Sequence, residues 1–279
     1  MEEEVGEFRS ADGRLVTFSR YGPDRGHQVV FHYGTPGTRH LGPRMTNAVE
    51  RHGVRLLVLD RPGYGTSTRW ADRRVGDVVT DVEAVADLHG WDRFAVWGGS
   101  GGGPHALACA ALLPERVERC ACVVGPAPYE AEGLDWLQGM SPGNVEEFTL
   151  ALQGEAAYRP LVEHLAREAV ESARSGQVSI PEQYELPETD MASLRARLSE
   201  PGHLERIVAA HQQGVDGWID DVMAMTRPWG FDPGGVTVPV SIWYGPDDVL
   251  CPRPHAEWLL SHVPGAERHE LPGGHMLED

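Results

Sequence analysis

The stretch Phe94-Ala95-Val96-Trp97-Gly98-Gly99-Ser100-Gly101-Gly102-Gly103-Pro104-His105-Ala106-Leu107 decides the reading of this chain. An apolar run rich in β-formers meets a glycine cluster, and a run of small, helix-favouring residues follows. The order predicts strand, tight turn and helix, with Ser100 at the apex. Gly98-x-Ser100-x-Gly102 is the spacing of a serine held on a strained turn. Side chains two positions to either side would collide there, and glycine removes them. The strain holds the hydroxyl up at the strand's end and turns the Gly101 N–H toward a developing oxyanion. Glycine-rich turns are common, so the reading depends on finding a base, an acid and a second oxyanion donor elsewhere.

The same rhythm recurs upstream. Residues 5–21 read as two strands joined by the turn Ala11-Asp12-Gly13-Arg14, with Leu15, Val16 and Phe18 as β-formers. Gln28-Val29-Val30-Phe31-His32 is an unbroken apolar strand running into Tyr33-Gly34-Thr35-Pro36-Gly37. A helical stretch near 42–52 leads to Val54–Asp60, a second unbroken run, which meets Arg61-Pro62-Gly63-Tyr64-Gly65-Thr66-Ser67. Val75, Val78, Val79, Val82, Val85 and Ala86 keep a helical period. The helix after Ser100 stops before Pro114, and Val117–Val124 is another strand. Strands that are apolar throughout and alternate with helices predict an α/β fold, a mostly parallel sheet covered on both faces. Ligands of such sheets bind beyond the carboxyl ends of the strands. Both glycine turns and Ser100 fall there.

From Gly125 the texture changes. Residues 126–235 are helical and acidic without strand alternation, broken at Ser141-Pro142-Gly143, Ser175-Gly176, Pro181, Pro187 and Pro201-Gly202. Val208, His211, Val215, Trp218, Val222 and Met225 recur at spacings of three and four, which predicts one helix face. That face either packs or lines a substrate cavity. The strand–helix rhythm returns at Val238–Gly245. The chain therefore divides into a first core part (1–125), a helical cap inserted over the sheet's active edge (126–235) and a second core part (236–279).

With 279 residues the chain can bury a full core, and 41% hydrophobic content is that of a globular protein. A net charge of −18 repels duplex nucleic acid and anionic membranes, so the expected partner is a small-molecule substrate. Oligomeric state is not readable. All 24 basic residues are arginine, and the lack of lysine excludes a Schiff base, a P-loop lysine and a Ser–Lys dyad. Cys109, Cys120, Cys122 and Cys251 are scattered, three of them in apolar runs, as suits buried thiols in a reducing compartment. Without C-x-x-C or H-E-x-x-H no metal is expected, nor any other cofactor. No signal-like leader and no apolar run of membrane-span length occurs, so a cytoplasmic location is the expectation.

After the returning strand comes Gly245-Pro246-Asp247-Asp248-Val249-Leu250-Cys251-Pro252, a carboxylate pair on a loop at the sheet edge. Leu271-Pro272-Gly273-Gly274-His275 then places a histidine after a short strand at 267–271. Ser, Asp, His is the chain order of a triad built on such a sheet. His275 would take the Ser100 proton and return it to the leaving group. Asp248 would fix the imidazole tautomer and stabilise the imidazolium. One of Asp247-Asp248 could instead cap a helix starting near Pro252. The Gly101 N–H and a second from the loop after Phe31-His32 would hold the oxyanion, each worth about 3 kcal/mol of barrier.

Together these residues resemble the α/β-hydrolase-fold serine hydrolases with a helical cap, in the esterase, peptidase and haloperoxidase-like branch. The likeness spans nearly all of the chain outside the cap. In that family the loop after the third strand often reads H-G-x-P-G. Matched to Tyr33-Gly34-Thr35-Pro36-Gly37, it implies Thr35 as the second oxyanion donor, with Tyr33 replacing the histidine and His32 one position early. The family's D-x-P-G-x-G-x-S segment matches Asp60–Ser67 and is read as structural. The family's acid often sits three residues after the strand-ending glycine, which selects Asp248 over Asp247. Only Met276-Leu277-Glu278-Asp279 follow the histidine, where the family usually has a helix, so one sheet edge is expected to be thinly covered.

The resemblance implies hydrolysis of an ester, thioester or lactone of a small, largely apolar molecule through an acyl-Ser100 intermediate. Trp136, Met140, Trp218, Met223, Met225 and Trp229 of the cap would face the substrate. The same triad serves amide or peptide cleavage, C–C cleavage, acyl transfer and haloperoxidase-like chemistry. A hydrolase-fold binding protein with an idle triad is a further alternative. Gly101-x-Gly103-x-x-Ala106 also fits a relaxed dinucleotide fingerprint. The next strand, however, ends at Val124-Gly125-Pro126 without the acid that fingerprint needs, so nicotinamide binding is not expected.

Overall fold

Apolar runs without alternation bury both faces of the strands they form, and eight strands join here into one sheet. They are β1 (Glu4–Arg9), β2 (Leu15–Tyr21), β3 (His27–His32), β4 (Val54–Leu59), β5 (Phe94–Gly99), β6 (Val117–Val123), β7 (Val240–Tyr244) and β8 (Glu267–Glu270). The computed structural model describes residues 3–177, 180 and 182–277. Pro181, one of the breaks read in the sequence, and Glu278-Asp279 lie outside the described residues. The strand order is β1-β2-β4-β3-β5-β6-β7-β8. β2 runs antiparallel to β1 and β4, and every other neighbouring pair is parallel. The order reverses between β3 and β5, the switch point where the loops after two adjacent strands part and leave a crevice. Ser100 follows one of those strands and the Tyr33–Gly37 loop follows the other.

Alternate side chains sort to the two faces. Leu57 of β4, Val30 of β3 and Val96 of β5 join the larger apolar cluster with Leu107 and Leu259. Leu56, Val58, Phe31 and Trp97 face the other way, against Val49. The helices that supply this cover are α1 (Pro43–Arg51), α2 (Val79–Leu88) and α3 (Gly102–Leu112), with α9 near the end of the chain (Arg253–His262). β8 has four residues and is largely exposed.

Between β6 and β7 the described residues form helices and no strand: α4 (Pro142–Leu152), α5 (Glu155–Ser175), α6 (Glu188–Leu198), α7 (His203–Ala210) and α8 (Asp216–Met225). Ser141 caps α4 by accepting the Asn144 N–H, and Pro142 opens the helix, where its missing N–H costs nothing. Trp136, Phe148, Tyr158, Val162, Ile219 and Val222 pack into an apolar cluster of their own. The row Val208 to Met225, expected as one helix face, belongs to two helices. The chain breaks between α7 and α8, and Gly214 there has φ +90°, a conformation that costs glycine little. The described helices include none long and apolar enough to cross a membrane.

Candidate active site

Ser100 sits between β5 and α3 with φ +52°, a left-handed conformation that an ordinary side chain adopts only at a cost. Its N–H donates to Val123 O at 2.8 Å, and Ser100 O accepts the Gly103 N–H at 2.8 Å. The turn is therefore locked at both ends. The two flanking glycines are needed for space. A Cβ at Gly98 would overlap the Gly102 carbonyl oxygen, and one at Gly102 would overlap the carbonyl oxygen of His32. The collision read from the G-x-S-x-G spacing is thus real on both sides.

Asp248 and His275 meet on the loops after β7 and β8. His275 Nδ1 lies 2.8 Å from Asp248 Oδ2. The other carboxylate oxygen, Oδ1, accepts the N–H groups of Leu250 and Cys251, each at 2.8 Å. Asp248 is buried and Asp247 is exposed, which makes the former the histidine's partner. Helix α9 is not capped by either: its N-cap is Pro252, without a side-chain bond. Among the described residues the Ser100 hydroxyl makes no hydrogen bond, so of the two contacts expected of a Ser–His–Asp arrangement the serine–histidine one is open. Such bonds often tighten only when substrate is bound.

Thr35 and Gly101 face each other: a Cβ built at Gly101 would lie 3.4 Å from Thr35 N and overlap Thr35 Oγ1. What aims the Thr35 N–H is an arginine beneath its loop. Arg61 Nη1 donates to Tyr33 O at 2.5 Å and Nη2 to Gly34 O at 2.8 Å. A trans peptide sets its C=O and N–H in opposite directions. Anchoring Gly34 O below therefore turns the Thr35 N–H away from Arg61, toward the serine side.

Arg61 belongs to a buried charge cluster centred on Asp221 of α8. Asp221 accepts from Arg61 (2.6 Å), from the Tyr64 hydroxyl (3.0 Å), from the Thr35 hydroxyl (2.8 Å) and from Arg73. Burial opposes its ionisation, but Arg61 and Arg73 hold its carboxyl well below the usual range. The cluster continues under the elbow, where His105 donates from Nδ1 to Gly101 O at 2.9 Å. Burial, with Arg61 nearby, keeps His105 neutral. Burial likewise drives His32 down to about 3. His32 lies 3.5 Å from Cys109 Sγ, far from the role its neighbour's motif would have given it.

Of the six residues expected against substrate, Trp136, Met140 and Met225 lie in the apolar cluster of the helical segment and Trp229 in the main core. Trp218 and Met223 remain half-buried at the edge of that cluster. All four cysteines are buried and free. Sequence reasoning missed Asp190, Asp221, Arg73 and His105. The first two are carboxylates in an acidic helical stretch, where a solvated face was the natural expectation. Arg61 carried the one available signal, its place beside Asp60 in the D-x-P-G-x-G-x-S match. Among the described residues, no group of His, Cys, Asp and Glu side chains could hold a metal ion.

The α/β-hydrolase-fold model matches residues 28–277, and the chain belongs to that family. It is similar to the proline iminopeptidase of Neisseria meningitidis, 28% identical over 98% of this chain and 91% of that one. Epoxide hydrolase B of Mycobacterium tuberculosis is 33% identical over 42% of this chain and 33% of its own length. Among solved structures, the enol-lactonase from Burkholderia xenovorans superposes with a TM-score of 0.68 at 18% identity, covering 97% of this chain and 92% of that one.

Proposed function

We propose that this chain is a serine hydrolase that opens an ester, thioester or lactone of a small, largely apolar molecule, without a cofactor. The observation that carries the reading is the left-handed Ser100 at a sheet edge that also holds the 2.8 Å Asp248–His275 hydrogen bond. His275 removes the hydroxyl proton as Ser100 Oγ attacks the acyl carbon. The oxyanion that forms is met by the Gly101 and Thr35 N–H groups. His275 then protonates the departing alcohol or thiol, leaving an acyl-Ser100 ester. Water enters and gives a proton to His275 as its oxygen bonds to the acyl carbon; His275 then passes that proton to Ser100 Oγ as the ester C–O bond breaks and the acid leaves. Asp248 holds the ring in one tautomer throughout. Residues 126–235 act as a cap, with Trp218 and Met223 among its half-buried apolar side chains available to a substrate.

Likeness to the Neisseria iminopeptidase favours a second reading, removal of an N-terminal residue from a peptide. A free ammonium group needs an unpaired carboxylate, and those buried in the helical segment are engaged. Asp221 faces Arg61 and Arg73, Asp220 faces Arg69, Glu147 accepts from two tyrosines, and Asp190 accepts backbone N–H groups. The ester reading is therefore preferred. A panel of p-nitrophenyl esters of rising chain length, with a lactone and a proline anilide alongside, tests it. Short esters or the lactone should turn over fastest, with a fluorophosphonate labelling Ser100. Exclusive turnover of the anilide would replace this reading with the second, and absence of labelling would remove both.

A further inference from the structure

Asp190 lies in the first turn of α6, more than eighty residues before His275 in the chain, and is completely buried. Its side chain does not turn back to cap its own helix. Instead Oδ2 accepts the His275 N–H at 2.8 Å, and Oδ1 accepts the Met276 N–H at 2.9 Å. Two successive backbone donors converging on one anion make a small nest, a strong arrangement for a carboxylate. The approach is possible only because residue 274 is glycine. A Cβ there would sit 2.5–2.8 Å from the Asp190 carboxylate atoms. The Gly273-Gly274 pair that permits the contact also leaves the chain before His275 with more backbone freedom than any other dipeptide. Something must remove that freedom if the imidazole is to meet Ser100 within a fraction of an ångström. Asp248 fixes the ring and the Asp247 N–H holds Gly273 O at 3.1 Å, but among the described residues the 275 and 276 amides themselves are held by Asp190.

We infer that Asp190 is a positioning residue for His275: the helical segment between β6 and β7 holds the backbone of the proposed base through a two-oxygen carboxylate bridge. The inference rests on the reading of His275 as base. Its consequence is that the segment is part of the catalytic alignment as well as a cover over it. Asp190→Ala removes both acceptors. Asp190→Asn keeps the volume but sets an NH2 against one of the two N–H groups. Gly274→Ala leaves Asp190 intact and drives it off by contact.

The test measures kcat and KM on p-nitrophenyl acetate for these variants and for His275→Ala, with thermal melting and deuterium exchange of the 271–277 peptide. Asp190→Ala and Gly274→Ala should each lower kcat by ~30–100-fold through misplacement of the base, with KM changed less than about threefold. Exchange at the 275 and 276 amides should quicken in both, and Asp190→Asn should fall between them and the parent. A folded Asp190→Ala protein with parental kcat overturns the inference, as does parental exchange in that variant. Loss of activity that only follows loss of folded protein also overturns it. Should His275→Ala keep full turnover, the base assignment itself has failed, and exchange at the two amides alone then judges the bridge.

Discussion

A serine at φ +52° stores strain that glycine would not feel. Ser100→Ala should lower turnover by at least ~10³ with the fold kept, measured as kcat on the best ester of the panel. Ser100→Gly should be equally inactive yet more stable by about 1 kcal/mol, read as a higher midpoint in urea, because it relieves the left-handed backbone. Equal stability of the glycine and alanine variants would show that the elbow is not strained. The serine and its two glycines were legible from sequence because their spacing follows from backbone geometry that any such turn must obey, whereas Asp248 and His275 were expected from their chain order after two strands and from the family resemblance. Asp190 and Asp221 were not. A carboxylate's partner lies wherever the chain folds back, and neither the His275 N–H nor Arg61 and Arg73 is near them in sequence.

At the level of elements, α8 is bolted to the core through Asp221, which has Arg61 and Arg73 on either side. Asp221→Asn would leave two buried guanidinium groups facing a neutral amide. It should cost about 3–5 kcal/mol of stability in chemical denaturation, the range for breaking a buried pair from one side. A second buried carboxyl behaves differently. Glu147 of α4 accepts the hydroxyls of Tyr158 and Tyr184 at 2.6 and 2.5 Å, and among the described residues no cation pairs with it. Burial raises its pKa above the ordinary value despite those two bonds. A group with a raised folded pKa adds stability that is complete below its unfolded pKa of about 4.5 and is lost as pH climbs through the folded value. Glu147→Gln should therefore remove a contribution that lowers the melting temperature as pH rises above about 4.5; an unchanged slope would mean that the carboxyl ionises freely where it sits. The strands around this segment were readable because unbroken apolar runs have few other uses. The single helix expected over Val208–Met225 failed because spacing alone does not register a turn, and Gly214 makes one.

For the molecule as a whole, buried neutral histidines set the acid limit, His32 and His255 among them. Burial takes His32 down to about 3 and His255 to about 4, the latter against its hydrogen bond to Trp136 O. Both pick up protons in the unfolded chain first, so their contribution is complete above about pH 6.5 and fades as pH falls toward 4. Each steepens the loss by about 1.4 kcal/mol per pH unit inside that window. Glu147 opposes them there, so the acid-side decline measured in Glu147→Gln should be steeper than in the parent. The family, the sheet and its functional edge were all present in the order of apolar runs and glycine turns. How the helical segment engages that edge was not, since it depends on long-range contacts between acidic side chains and the backbone. Because β6 and β7 run parallel, the stretch joining them cannot be trimmed to a hairpin: it must carry the chain from one end of the sheet back to the other. Anyone grafting a foreign set of helices at this position, to retune what the protein accepts, inherits two obligations. The donor has to bring an acidic side chain to the amides at 275 and 276, and another to the paired arginines at 61 and 73, or the recipient scaffold will fold around a misaligned catalyst.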